Sequence, residues 1–93
     1  KLGFVFGAQT GYKCFPKKPR QVRKPDTSFV ASGRLKDNKP PKGDIDIVPD
    51  LIAEVVSPND SYEDITARVA DFKAVSVKLI WVISPETRTV LVR

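Results

Sequence analysis

The second half of the chain has the clearest pattern of hydrophobic and polar positions. Residues 51–56 form an apolar run that is interrupted only by Glu54, and such runs are typical of sheet strands. Residues 57–61 follow with turn and helix-capping chemistry. Apolar side chains then recur at helical spacing at Tyr62, Ile65, Val69 and Phe72. This pattern predicts a strand followed by one amphipathic helix at about 61–74.

The end of the chain predicts a hairpin. Residues 77–83 are almost continuously apolar around Trp81, residues 84–87 form a turn sequence, and residues 89–92 resume as a short strand. The helix would therefore lead into two further strands.

The first half is less regular. Residues 2–6 and 11–15 predict a β-hairpin or two short strands, and residues 27–31 predict another strand. Residues 16–25 contain three prolines among basic side chains, which favours an extended surface connection. Residues 33–49 are rich in charge, Gly and Pro, so we expect a mobile loop.

These elements predict an α+β fold in which one main helix packs on a mixed sheet. The 93 residues, 41% of them hydrophobic and 29% charged, suit one small domain and exclude a multidomain enzyme. No apolar run is long enough to span a membrane and no signal peptide opens the chain, so we expect a cytoplasmic protein.

Cysteine and histidine usage limits the possible chemistry. The chain has one cysteine, Cys14, and no histidine. An internal disulfide and the usual zinc, haem and Cys-His sites are therefore excluded. Any metal would have to bind oxygen ligands.

The net charge of +5 is unevenly distributed. Residues 1–49 hold eleven Lys and Arg against four Asp, whereas residues 50–93 hold five against seven acidic residues. A basic cluster in the first half could bind the phosphates of DNA, although it could also be a solvated loop that maintains solubility. The candidate nucleic-acid contacts are Lys17, Lys18, Arg20, Arg23 and Lys24.

Glu54 is the most informative acidic residue because it lies within the apolar run 51–56. A buried carboxylate costs several kcal/mol unless it is paired or binds a metal. An exposed edge strand would be the structural alternative. Asp26, at the start of strand 27–31, would come close to Glu54 if the two strands pair, unless it is merely a turn residue after Pro25. Asp50 is a weaker candidate, roughly 13 Å away along the strand.

Three segments carry a resemblance to a known family: Arg23-Lys24-Pro25-Asp26-Thr27-Ser28-Phe29-Val30, Pro49-Asp50-Leu51-Ile52-Ala53-Glu54-Val55-Val56-Ser57-Pro58-Asn59-Asp60 and Trp81-Val82-Ile83-Ser84-Pro85-Glu86-Thr87. They closely resemble the Uma-type domain family, whose members are described as restriction endonucleases of the PD-(D/E)XK nuclease superfamily. The resemblance implies a restriction-endonuclease-like core, DNA as substrate, and Mg²⁺ or Mn²⁺ held by Asp26 and Glu54.

The chain also departs from the family pattern. The superfamily lysine would fall at Val56, and a lysine on the following helix is expected to replace it, but the matching position is Arg68. Arg68 can hold a phosphate but cannot act as a base. Lys73 is a weaker candidate. The helix that usually opens the family domain is also missing, so residues 1–93 would be a single truncated or minimal domain.

Three functions stay open from the sequence. The first is a divalent-metal-dependent endodeoxyribonuclease with Asp26, Glu54 and Arg68 at its catalytic site. The second is a catalytically degenerate member that binds nucleic acid or a partner protein, and the third is a structural or oligomerisation module. Exposed edge strands at 2–6 and 89–92 favour a homodimer or higher oligomer.

Overall fold

The chain folds into a five-stranded sheet with an α-helix on one face. The computed structural model describes residues 2–93. Its strands and helix are β1 (Gly3–Phe6), β2 (Thr27–Ala31), β3 (Leu51–Val55), α1 (Tyr62–Ala74), β4 (Leu79–Ser84) and β5 (Thr89–Val92). The predicted α+β class is therefore confirmed, with its one main helix and its C-terminal hairpin.

The strands lie side by side in the order β1-β2-β3-β4-β5. The β3–β4 pair is parallel and the other three pairs are antiparallel. A parallel pair needs a long crossover connection, and α1 provides it. β3 therefore lies in the centre of the sheet, which makes the alternative of an edge position for Glu54 wrong.

A capping box fixes the start of α1. The Ser61 hydroxyl accepts a hydrogen bond from the Asp64 backbone N–H at 3.0 Å, and the Asp64 carboxylate accepts one from the Ser61 N–H at 3.4 Å. These contacts satisfy backbone donors that a helix start leaves unpaired.

Within residues 2–93, no helix is long and apolar enough to cross a membrane.

The core lies between α1 and one face of the sheet. The helix contributes Val69 and Phe72, which are 4% and 0% exposed. Tyr62 shares their predicted helical spacing but is 79% exposed, because it lies in the first turn beyond the edge of this core. The sheet and the first-half loops supply the remaining buried apolar side chains, among them Tyr12, Phe15, Val30, Ile45, Ile52, Ile80 and Val82.

The opposite face of the sheet is open to solvent. Side chains alternate along β4, so Ile80 and Val82 are buried while Trp81 points away from the core and is 38% exposed. The register places Val92 beside Trp81, and every residue of β5 is exposed. We call this surface the open face; its exposed apolar residues are Val5, Val55, Leu79, Trp81, Val90 and Val92.

The prediction for residues 11–15 is wrong. β1 pairs with β2 rather than with this segment, and Tyr12 forms only isolated bridges, to Arg23 and Ile45. The reason is that Tyr12 is fully buried and donates its hydroxyl proton to the Ser28 hydroxyl at 2.7 Å. Residues 11–15 are therefore held in place by core contacts rather than by a hairpin.

The predicted mobile loop at residues 33–49 is also anchored to the core. Leu35 and Ile45 are buried, and a short 3-10 turn spans Lys36–Asn38. The Ile45 backbone both donates to the Gly11 carbonyl and accepts from the Lys13 N–H. The composition of this segment, rich in Gly, Pro and charged residues, therefore gave no indication that Leu35 and Ile45 would be buried.

Candidate functional site

Glu54 is a buried carboxyl near the end of the central strand. It is 4% exposed and lies on the same side of β3 as Ile52, which faces the core. Within the described chain its carboxylate accepts no hydrogen bond, and its ion-pair partner is Arg68. Burial raises the pKa of Glu54 to about 7, against the opposing charge of Arg68 and with the help of the nearby negative charge of Asp26.

The antiparallel register of β2 and β3 brings Asp26 next to Glu54. Thr27 is paired with Ala53, so the preceding residue, Asp26, lies across from Glu54. The Oδ2 atom of Asp26 accepts a hydrogen bond from the Val55 backbone N–H at 2.6 Å. The two carboxylates that the sequence singles out therefore meet at one end of this strand pair.

Both carboxylates line one pocket of about 290 Å³. We call it the carboxylate pocket. Its charged lining residues are Lys24, Asp26, Glu54, Asp60 and Arg68, and its other lining residues are Val55 and Ser57. The pocket brings together acidic and basic groups from the segment before β2, from β3, from the loop between β3 and α1, and from α1.

Arg68 reaches the pocket from α1 and faces two acids. Its Nε lies 3.7 Å from Oε2 of Glu54, and its Nη1 lies 3.5 Å from Oδ1 of Asp60. The Nε atom is buried and makes no hydrogen bond. Asp60 is itself fixed, because its other oxygen accepts from the Ser57 N–H and hydroxyl, and these bonds together with Arg68 lower its pKa.

A second acid on α1, Asp71, holds part of the basic segment. Its two carboxylate oxygens bind Nζ of Lys18 at 2.8 Å and the guanidinium of Arg23 at 2.7 Å. Burial alone would raise the pKa of Asp71, but the hydrogen bonds from Lys18 and Arg23 keep it below its ordinary value. We call this set of three residues the Asp71 clamp.

The five predicted nucleic-acid contacts are thus of two kinds. Lys18 and Arg23 are already paired within the Asp71 clamp. Lys17, Arg20 and Lys24 are exposed and form no ion pair with any described residue. Of these three, Lys24 lines the carboxylate pocket.

The two additional candidates do not join this site. Asp50 accepts from the Ala31 N–H at 2.7 Å and from Arg34 at 2.8 Å, and although burial opposes them these contacts lower its pKa. Asp50 therefore fixes the loop that follows β2. Lys73 is exposed in the last turn of α1 and does not line the carboxylate pocket.

Sequence reasoning missed the roles of Asp60 and Asp71. Asp60 was visible only as part of a turn sequence, and its contact with Arg68 depends on where the helix packs. Asp71 had one available signal, since it lies between Val69 and Phe72 on the buried side of α1. An acid at such a position requires a partner, but the pattern does not indicate which basic residue provides it.

The donor set limits which metal could bind. In residues 2–93 no group of three or more His, Cys, Asp or Glu side chains is arranged to hold an ion. Asp26 and Glu54 together provide two carboxylates, and no described group donates a hydrogen bond to Glu54. This set suits a hard cation such as Mg²⁺, which takes one or two carboxylates and fills its remaining positions with water and substrate oxygens.

Comparisons with known proteins agree with the fold. A crystal structure of a "putative nuclease belonging to DUF820" from Anabaena variabilis superposes with a TM-score of 0.78 at 21% sequence identity. The match covers 99% of this chain and 50% of that one, so this chain spans about half the length of its structural neighbour. No curated protein matches the sequence. The model of the Uma2 family, described as "Putative restriction endonuclease", matches residues 1–93, and the chain therefore belongs to this family.

Proposed function

We propose that this chain is a divalent-metal-dependent endonuclease core that hydrolyses DNA phosphodiesters. The observation that carries the proposal is the meeting of Asp26 and Glu54 in one pocket, where the buried Glu54 carboxylate lacks any hydrogen-bond donor. Such a carboxylate is costly unless positive charge compensates it, and Arg68, at 3.7 Å and without a hydrogen bond to Glu54, does not offset the effect of burial on its pKa. The family and the nuclease fold of the structural neighbour support the same activity.

Each residue of the site has a defined part in this proposal. Asp26 and Glu54 would hold Mg²⁺ or Mn²⁺, and the ion supplies polarisation of a phosphoryl oxygen and of a water molecule. Burial raises the pKa of Glu54, and the charge of Arg68 opposes this effect and so favours the charged form that a cation would bind. Asp60 fixes the guanidinium of Arg68, which would contribute positive charge and hydrogen-bond donors but no base.

Plasmid nicking tests the proposal. We expect the chain to nick supercoiled DNA with Mg²⁺ or Mn²⁺ and to lose the activity with EDTA. Glu54→Gln keeps the size of the side chain and should lower the rate by at least about 100-fold, since it removes a metal ligand. Glu63→Gln, an exposed acid in the first turn of α1, is the matched control. Equal rates for the two variants would overturn the proposal.

A second candidate function is nucleic-acid binding without cleavage. The supporting observation is the position of Arg68, whose guanidinium already faces both Glu54 and Asp60 and so competes with a cation for Glu54. A chain that binds DNA in EDTA, shows no heat of Mg²⁺ or Mn²⁺ binding in calorimetry, and never nicks DNA would favour this function.

Other expectations stay predictions. Self-association is supported by the open face and by the exposed edge strand β5. That residues 1–93 act as a single domain, and that the protein works in the cytoplasm, are likewise proposals of ours.

A further inference from the structure

The carboxylate pocket contains one cation that no acid neutralises. Its lining includes two basic side chains, Arg68 and Lys24. Arg68 is held by Glu54 and Asp60, whereas Lys24 forms no ion pair or side-chain hydrogen bond with any residue in 2–93. The ammonium of Lys24 is therefore free to bind an anion that enters the pocket.

The backbone at Lys24 is fixed from both sides, although its side chain is exposed. The preceding residue, Arg23, exchanges two backbone hydrogen bonds with Tyr12, at 2.8 and 3.0 Å, and its side chain belongs to the Asp71 clamp. The following residue, Pro25, is fully buried and restricts Lys24 to extended conformations. A cation on such a backbone binds an anion with little ordering cost beyond that of its own side chain.

The charges of the pocket explain why an unpaired cation matters there. Asp26, Glu54 and Asp60 are acidic, and Arg68 is the base that faces two of them. These acids repel an approaching phosphodiester, and a further positive charge beside it reduces the repulsion. Lys24 is the pocket residue able to supply this charge.

We propose that Lys24 binds a non-bridging oxygen of the phosphodiester that enters the carboxylate pocket. The inference rests on the proposed function for the identity of the ligand. It separates Lys24 from Lys18 and Arg23, which hold the basic segment against α1, and from Lys17 and Arg20, which lie outside the pocket.

A double-mutant cycle on DNA binding tests this placement. The affinity of the chain for a short fluorescein-labelled DNA duplex is measured by anisotropy in EDTA, where cleavage cannot occur. Lys24→Gln should weaken binding several-fold and reduce the salt slope by about 0.9, the value for one phosphate contact. Lys36→Gln, an exposed lysine of the 3-10 turn outside the pocket, is the matched control and should change the affinity less than twofold.

Glu54→Gln makes the test specific to the pocket. Removing this negative charge should tighten DNA binding when Lys24 is present. The gain should change at least twofold when Lys24→Gln is also present, because the same phosphate would lie close enough to interact with both side chains. Lys24→Arg should restore most of the affinity. Additive effects of the two substitutions, or equal losses for Lys24→Gln and Lys36→Gln, would overturn the inference.

Single-turnover cleavage separates this inference from the proposed function. If the chain never cleaves DNA but the binding cycle shows coupling, the nuclease function fails and the role of Lys24 stands. If the chain cleaves and the coupling is absent, the nuclease function stands and the role of Lys24 fails. If both hold, Lys24→Gln should also slow cleavage by about 100-fold, the usual effect of removing one donor to a charged transition state.

Discussion

The Nε atom of Arg68 lies 3.7 Å from Oε2 of Glu54, close enough for an ion pair but too far for a hydrogen bond. The Nε is buried without a hydrogen-bond acceptor, and the Glu54 carboxylate has no donor. The Nε–H of Arg68 and the carboxyl of Glu54 therefore face each other without a hydrogen bond, although Nη1 of Arg68 donates to Asp60. Such a site favours binding of a cation to Glu54, or of a polar substrate group that hydrogen-bonds to Glu54 or to Arg68.

The raised pKa of Glu54 predicts a dependence of stability on pH. The folded chain releases this proton at a pKa of about 7 and the unfolded chain at its ordinary value of 4.5, so the folded state binds the proton more tightly. The free energy of unfolding should therefore fall as pH rises from about 4.5 to 7. The loss should be roughly 1 to 3 kcal/mol, less than the full shift implies because the carboxyl borders an open pocket.

Urea unfolding at pH 5 and pH 8 measures this effect. Glu54→Gln should be less sensitive to pH than the wild type across this interval, and Glu63→Gln should behave as the wild type does. Parallel profiles for all three proteins would show that Glu54 titrates normally.

The Asp71 clamp should stabilise the fold more at neutral than at acidic pH, which is the reverse of the pH dependence expected for Glu54. Asp71→Asn removes the charge that pairs with Lys18 and Arg23 and should cost about 1 to 2 kcal/mol at pH 7. Because the pKa of Asp71 is lowered in the folded chain, the difference in unfolding free energy between the wild type and Asp71→Asn should shrink as the pH falls below 3.8, the ordinary pKa of an aspartate. Asp37→Asn, at an exposed turn position, is the control for thermal and urea unfolding. A constant difference down to pH 2 would contradict the ion pairing.

The buried contact between Tyr12 and Ser28 predicts a cost for losing one hydroxyl. Tyr12→Phe leaves the Ser28 hydroxyl without its partner and should destabilise the chain by about 1 to 2 kcal/mol. Adding Ser28→Ala should recover part of this loss, since no polar group is then left unpaired. Tyr62→Phe, at an exposed tyrosine, should have no measurable effect. Equal midpoints in urea for the two Tyr→Phe variants would rule out the buried bond.

The open face predicts that Trp81 reports self-association. Trp81 is the single tryptophan of the chain and is 38% exposed, so its emission should shift to shorter wavelength as concentration rises and a second copy covers it. Trp81→Lys should abolish association, and Tyr62→Lys should leave it unchanged. Both variants are followed by light scattering, and a wild-type monomer at high micromolar concentration would reject the expectation.

Local signals predicted most of the second half of the fold. The capping sequence and helical spacing gave α1 its residues 62–74, and turn sequences set the bounds of β5. The meeting of Asp26 and Glu54 was also predictable, because strands that follow each other in sequence often pair. The Asp71 clamp was not, since Lys18 and Arg23 lie 53 and 48 residues away along the chain. The position of residues 11–15 likewise depends on distant contacts of Tyr12.

Asp26 has two roles, one in holding the β2–β3 strand pair and one in lining the carboxylate pocket, and most substitutions would affect both. One of its oxygens secures the end of the β2–β3 ladder by accepting from the Val55 N–H, and the same side chain lines the carboxylate pocket. An alanine at this position would therefore fray the central strands while it depletes the site. Asparagine retains a carbonyl oxygen for the Val55 N–H and removes the charge. Only a substitution of the same shape, Asp26→Asn, therefore separates the structural role of this residue from its chemical role. Inactivity of Asp26→Ala would not identify a catalytic group.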